Sequence, residues 1–231
     1  GKGEGDVYGP FRQARPWPEK QRLAGEKETL GLYVSGHPID EYESEVRKFA
    51  PTRIAELRAD KKGSQFVAGL IVASRTMKTK RGDTMAILQL DDRSARMEVT
   101  VYADTYNEHR DLLAKDNIVI VEGSVAHDDY SGGLGMPARG VRSLLPARQD
   151  HAAELTIEGS DQMLNPQLTD WLEQTLAGSG GGNCPVALLY RQAGGQARVR
   201  LGERFQVLPS DELLQALRDG VGSERVALKY G

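Results

Sequence analysis

One cysteine, Cys184, stands among 231 residues, so no internal disulfide can staple this fold. The four histidines, His37, His109, His127 and His151, are scattered, with no second histidine or cysteine at metal-ligand spacing. Aromatic residues amount to only 6%, so any stacking surface must rest on a few side chains. No apolar run approaches the roughly 20 residues that span a bilayer, and the polar stretch from Gly1 to Pro10 lacks the apolar centre of a signal peptide. Neither a P-loop nor a nucleophile elbow is present. These absences predict a cytoplasmic chain with no membrane contact, no metal and no cofactor. The formal charge of -3 provides no global basic field, so a nucleic-acid site must be a local patch.

Against that background, hydrophobic residues at 39% and charged residues at 27% suit a folded chain with one or two cores. Residues 1–17 read as a flexible arm. Residues 18–62 read as a helical segment: Pro18 opens a helix with Leu23, Leu30 and Tyr33, and Gly36 and Pro38 stop it. A second short helix carries Ile39, Tyr42, Val46 and Phe49 on one face. His37 is expected at the corner between the two. Thr52 is expected to cap a last turn with Ile54 and Leu57.

From Gln65 the period changes from helical to strand-like. Phe66 to Ser74, Thr84 to Leu90 and Arg96 to Tyr102 are three strands, the first holding Gly69 as the mark of a bend. In the third, Met97, Val99 and Val101 alternate with Arg96, Glu98 and Thr100, one buried face against one wet face. Asp104 is expected to cap a helix with Tyr106, Leu112 and Leu113, and strands at Asn117 to Ala126 and Leu134 to Leu144 follow. Three strands, a helix and two strands predict an OB-fold, a five-stranded barrel, over residues 63–148. Residues 149–231 predict a small α+β domain. It has a strand at Glu154 to Glu158, a helix opened by Asn165-Pro166, a hairpin at Gly194-Gly195, a helix capped by Ser210 and ending at Gly220, and a last strand from Arg225 to Tyr230. The tract Gly178 to Asn183 reads as a flexible loop. The class is therefore α+β, mainly β.

In this fold the binding surface lies on strands two and three and the loops joining strands one-two and four-five. The first loop contributes Lys78, Lys80 and Arg81; Arg93 and Arg96 flank the turn between strands two and three; Arg139 lies on the last strand. Cations tracking phosphates, with Tyr102 and Tyr130 as stacking platforms, are what single-strand binding needs. The same lysines and arginine also suit a solvated hairpin tip, and Tyr102 also suits ordinary packing. Asp128 and Asp129 beside Tyr130 repel phosphate, which fits a gating loop better than a gripping one. The pairs Asp91-Asp92 and Asp128-Asp129 fit turns better than two-metal catalysis, because adjacent strand residues face opposite ways. Cys184, followed by Pro185, reads as a buried structural thiol.

Several segments then resemble one family. Pro16-Trp17-Pro18-Glu19 and the run Glu26-Lys27-Glu28-Thr29-Leu30-Gly31-Leu32-Tyr33-Val34-Ser35-Gly36-His37-Pro38 are similar to the region after the fingers of bacterial DNA polymerase III alpha subunits. So are Lys80-Arg81-Gly82, Leu90-Asp91-Asp92-Arg93-Ser94, Asp128-Asp129-Tyr130-Ser131-Gly132-Gly133-Leu134 and Gly222-Ser223-Glu224-Arg225-Val226. The resemblance covers the chain from about residue 16. It implies an OB domain for single-stranded template DNA and a final domain that docks the clamp-loader tau subunit. It also implies a parent nucleotidyltransferase whose catalytic domains lie outside this chain, so the fragment itself is expected to be no enzyme. The family's sliding-clamp peptide has no counterpart in Asp6-Val7-Tyr8-Gly9, which lacks its glutamine and phenylalanine and argues against a sliding-clamp contact there. Val226, Leu228 and Tyr230 read either as a clamp or tau contact or as an ordinary strand. Three alternatives stay open: a subunit-interaction scaffold with incidental DNA binding, a free-standing enzyme, and a tRNA-binding module for the barrel alone.

Overall fold

The computed structural model describes residues 21–23, 25–26, 36–60, 63–127, 133–160, 165–192 and 195–231. The chain divides into two compact units, Gly1–Glu45 and Val46–Gly231. In the first unit Leu23 and Ile39 are buried, while Leu30 and Tyr33 lie outside the described residues. His37 sits in the turn before the next helical segment: its amide donates to Asp40 Oδ2 (3.0 Å), and its Nδ1 accepts from the Ile39 amide (3.2 Å), while residues 27–35 on its other side lie outside the described residues. Helix α1 (Glu43–Phe49) follows. The turn after it, Ile54–Glu56, is not capped by Thr52. Glu56 instead accepts from the Arg53 amide, and the Ile54 amide donates to Asp92, whose longer reach across the fold supplies what a local hydroxyl would have.

The second unit contains two hydrophobic cores. The first belongs to a barrel of β1 (Gln65–Lys78), β2 (Thr84–Asp91), β3 (Arg96–Val101), β4 (Ile118–Gly123) and β6 (Leu134–Arg142), with the two-residue β5 (Ala126–His127) at its margin. Helix α2 (Ala103–His109) sits between β3 and β4 in the chain. Its N-cap is Tyr102 and makes no side-chain cap bond, so Asp104 lies inside the first turn rather than before it. There its charge faces the positive helix end.

One strand serves both halves of this barrel. Gln65 to Leu70 pair with β4, and Leu70 to Lys78 pair with β2, with a register shift between Ile71 and Ala73. Gly69 lies next to that switch; a Cβ there would stand 3.2 Å from both the Asp91 carbonyl oxygen and Leu90 Cβ. The irregularity of β1 thus lies two residues past Gly69, the position the sequence marked, and β1 runs four residues beyond Ser74. Closure comes from a parallel β3–β6 contact, Glu98 to Gly135 through Thr100 to Pro137. Gly123 lets β4 lie close against the same part of β6, since a Cβ there would stand 2.4 Å from the Pro137 oxygen. Met97, Val99 and Val101 point into the core with Ala86, Leu88, Leu90 and Met136, as the alternation predicts. This is the OB-fold arrangement.

Helix α3 (Leu144–His151) is absent from the sequence-based expectation, which placed a domain boundary at residue 148. It leads into β7 (Ala152–Ser160), α4 (Pro166–Gly178), β8 (Gly180–Cys184), β9 (Val186–Gln192), β10 (Gly195–Arg200), α5 (Asp211–Val221) and β11 (Val226–Tyr230). The sheet order is β10-β9-β7-β11, with β7 and β9 parallel across α4. Leu155, Ile157 and Val186 meet Leu172, Leu176, Leu213 and Leu217 in the second core. Asn165 caps α4 through Leu168 N (2.8 Å), and Ser210 caps α5 through Leu213 N (3.2 Å), both as expected.

Two expectations change here. Gly178 to Asn183 is not simply a loop: Gly180–Cys184 is strand β8, bridged to Val207. A Cβ on Gly182 would lie 2.1 Å from the Val207 oxygen, so only glycine permits this approach. Helix α5 runs past Gly220 to Val221, and Gly222 at φ 103° is the residue that ends it. Gly220 has a different task, because a Cβ there would strike the Trp171 ring at 2.1 Å.

Candidate nucleic-acid interface

The outer face of β1–β2–β3 is set by register. Ala86 opposes Thr76 and Val101 and faces the core, so the positions on either side face out. Met77 opposes Met85 across the β1–β2 ladder, and Tyr102 falls one residue past the Ala86–Val101 pair, beside Met85. Met77 is 42% and Tyr102 53% exposed, two of the large apolar or aromatic side chains left open among the described residues. Sequence reasoning found Tyr102 and missed the methionines, because only the longer β1 reveals the pairing.

At the same end of the sheet lies the β1–β2 turn. The Thr79 amide donates to the Asp83 oxygen (2.8 Å), the Gly82 amide to the Thr79 oxygen (2.9 Å) and the Arg81 amide to Thr79 Oγ1 (3.3 Å). Gly82 at φ 91° makes the tight return possible. Lys78, Lys80 and Arg81 are exposed, and none of their side chains makes an ion pair among the described residues. Lys78 opposes Thr84, which puts it on the other side of the ladder from Met77; Lys80 and Arg81 occupy the tip itself.

The remaining predicted cations are not at this tip. Arg93 and Arg96 flank the turn at the far end of β2, roughly 23 Å along an eight-residue strand. Arg93 has φ 71°, a left-handed conformation held by its amide donating to Asp91 Oδ1 (2.8 Å). Arg96 Nε donates to Asp91 Oδ2 at 2.7 Å, so its charge is already met. Arg75, placed on the outer face by the extension of β1, pairs with Glu98 across the sheet at 3.5 Å. The sequence reading ended that strand at Ser74 and so passed over it. Arg139 lies on β6 and donates to Ser64 Oγ at 3.3 Å. Tyr130, with Asp128 and Asp129, lies outside the described residues.

Asp91 and Asp92 have separate tasks, both in the turn. Asp92 is fully buried; its Oδ1 accepts from Ser94 N (3.0 Å), Ser94 Oγ (2.6 Å) and Ala95 N (3.3 Å), and its Oδ2 from Ile54 N (2.9 Å) and Arg47 Nη2 (3.4 Å). Burial pushes this carboxyl's pKa up, but the donors from Ser94, Ile54 and Ala95 together bring it below the ordinary carboxylate value.

In the second sheet, Val226 is buried and Leu228 packs on the core. Tyr230 sits edge-on to Phe49, with ring centroids 5.4 Å apart. All three side chains turn inward, while Ala227 and Lys229 take the outer face of this edge strand. Cys184 is buried and its thiol is pushed up to about 11, chiefly by loss of solvent.

Residues 66–143 match the family described as OB-fold nucleic acid binding domain, and residues 171–222 match the family described as DNA polymerase III subunit alpha, C-terminal domain. Over 227 residues, 98% of this chain, the sequence is 45% identical to DNA polymerase III subunit alpha of Pseudomonas aeruginosa. The chain matches the C-terminal region of DNA polymerase III alpha subunits. The Escherichia coli K12 alpha subunit is 43% identical over 222 residues, and that of Vibrio cholerae 39% over 226. This chain spans about a fifth of the length of these alpha subunits, 19% of the first two and 20% of the third. Among solved structures, a domain of replication protein A from Methanococcus maripaludis resembles 39% of this chain and 91% of its own, at 18% identity and a TM-score of 0.33. That likeness is too loose to bear on function. No helix among the described residues is long and apolar enough to cross a membrane.

Proposed function

We propose that this chain is a non-catalytic part of a cytoplasmic replicative polymerase that holds single-stranded template DNA on its barrel. The observation that supports this most is the β1–β2 tip. Three cations that make no ion pair among the described residues stand at the same sheet end as the exposed Met77 and Tyr102. Phosphates need the former and bases the latter. The tip and the distant Arg93–Arg96 turn, roughly 23 Å apart, bracket a path of several nucleotides.

The test is fluorescence anisotropy with a single-stranded oligonucleotide across a salt series. For Lys78→Ala/Lys80→Ala/Arg81→Ala, affinity falls and the slope of log affinity against log salt flattens by about 2. Unchanged affinity and slope overturn the assignment. Tyr102→Ala costs roughly 1–3 kcal/mol if a base stacks there. A magnesium-dependent nucleotide-incorporation assay on this chain is expected to show no turnover.

For residues 149–231 we propose docking of the clamp-loader tau subunit, resting on the family match at residues 171–222. With Val226, Leu228 and Tyr230 turned inward, the contact belongs to other surfaces of this domain. Surface plasmon resonance against purified tau checks it; absence of binding by the intact chain removes the assignment. The scaffold reading gains from the ion-paired centre of the barrel face, and it is the outcome if tau binds while oligonucleotides do not.

A further inference from the structure

The barrel face between the tip and the far turn holds two outward arginines, Arg75 and Arg96, and each is already occupied by a carboxylate of the same face. Arg75 Nη2 lies 3.5 Å from Glu98 Oε2, with side chains 64% and 39% exposed. Arg96 Nε lies 2.7 Å from Asp91 Oδ2. The first pair spans β2, since Arg75 on β1 opposes Ile87 and Glu98 on β3 opposes Gln89. A strand of DNA crossing from Lys80 and Arg81 toward Arg93 must pass over it.

We infer that Glu98 is a built-in competitor for phosphate: it holds Arg75 in the free protein and releases it when a nucleic-acid phosphate arrives. The inference rests on the single-strand reading above. A carboxylate offers the same guanidinium two oxygens in a plane, as a phosphate does. The pair is open to water, and such pairs are weak enough for a ligand to displace. Asp91 is a poorer candidate, because it also accepts from the Arg93 amide and its side chain is only 13% exposed. Glu98 therefore sets how tightly, and with what salt sensitivity, the middle of the face engages DNA. Binding that must exchange one ion pair for another gives little net counterion release at that position.

The experiment measures anisotropy of a labelled oligo-dT over a salt series for the wild type, Glu98→Gln, Arg75→Ala, Arg75→Ala/Glu98→Gln and Asp83→Asn. Asp83 is an exposed carboxylate at the tip that makes no ion pair among the described residues, so it reports loss of charge alone. Glu98→Gln is expected to steepen the salt slope by about 0.7, one single-strand phosphate contact, worth about fourfold in affinity between 1 M and 0.15 M salt. Arg75→Ala/Glu98→Gln returns the slope to that of the wild type, and Arg75→Ala alone leaves it there. The inference is overturned if Glu98→Gln merely tightens binding with the slope unchanged, as Asp83→Asn does, or if its steeper slope survives removal of Arg75. No binding by any of the five proteins removes the single-strand reading and this inference together. Clear wild-type binding with no slope change in Glu98→Gln removes the inference alone.

Discussion

Arg47 and Asp92 stand 45 positions apart in the chain, and Arg47 Nη2 lies 3.4 Å from Asp92 Oδ2. The arginine belongs to the last turn of α1, and the aspartate is the first residue after β2. Two residues further along α1, Phe49 meets the rings of His151 (5.3 Å) and Tyr230 (5.4 Å). One helix end thus reaches both the barrel turn and the final strand.

Asp92→Ala removes a buried acceptor from two backbone amides of its own turn, from the Ile54 amide and from Arg47. Leaving those donors unmet costs about 3–5 kcal/mol, read as the loss in urea denaturation free energy. Glu98→Ala, which breaks a solvent-exposed pair, costs under about 1 kcal/mol in the same assay.

The same carboxyl gives a pH dependence. Its folded pKa lies below its unfolded value of about 3.9, so it binds fewer protons when folded. Its contribution to stability is in force above pH 4 to 5 and is lost as pH falls through the folded pKa. The melting temperature of the wild type should drop more steeply below pH 4 than that of Asp92→Asn. Parallel curves would show that Asp92 does not govern acid sensitivity.

Much of this was legible in local pattern. Met97, Val99 and Val101 declared a one-sided strand, and Asn165 and Ser210 marked helix starts, because each effect acts within a few residues. What escaped depends on partners distant in sequence. Nothing in Asp91-Asp92 says which is buried; the Ile54 amide, 38 positions away, decides it. Helix α3 was hidden because Leu144 and Leu145 are adjacent rather than spaced by three or four, and Pro146 reads as a breaker although the first turn tolerates it. The tip cations were visible from composition, but the partners of Arg75 and Arg96 emerged only once strand register was known.

Gly182→Ala tests the corrected view of the glycine tract. A loop would accept the methyl group, whereas β8 would force the Val207 oxygen away from a contact of 2.1 Å. The expected loss is roughly 1–3 kcal/mol by thermal melt, the range for overpacking. Gly178→Ala, with open space around it, should cost little.

Cys184 should be silent toward a thiol reagent. With its thiol near 11 and its side chain buried, the thiolate is scarce at pH 8 and shielded. Aromatic-disulfide labelling should therefore track global unfolding and accelerate sharply above the urea midpoint. Rapid labelling of the native chain would place the thiol at the surface.

Helix α3 has a mechanical meaning for the two sheets. Leu144 and Ala147 are buried along it, and Arg148 fastens it to Asp211 (2.7 Å) and to the Pro209 oxygen (3.4 Å) at the start of α5. The strand that closes the barrel passes into this rod after one residue, Ser143, and the rod passes directly into β7. There is no slack between them: a tug on the final domain arrives at β6 almost undamped, as through a strut and not a tether.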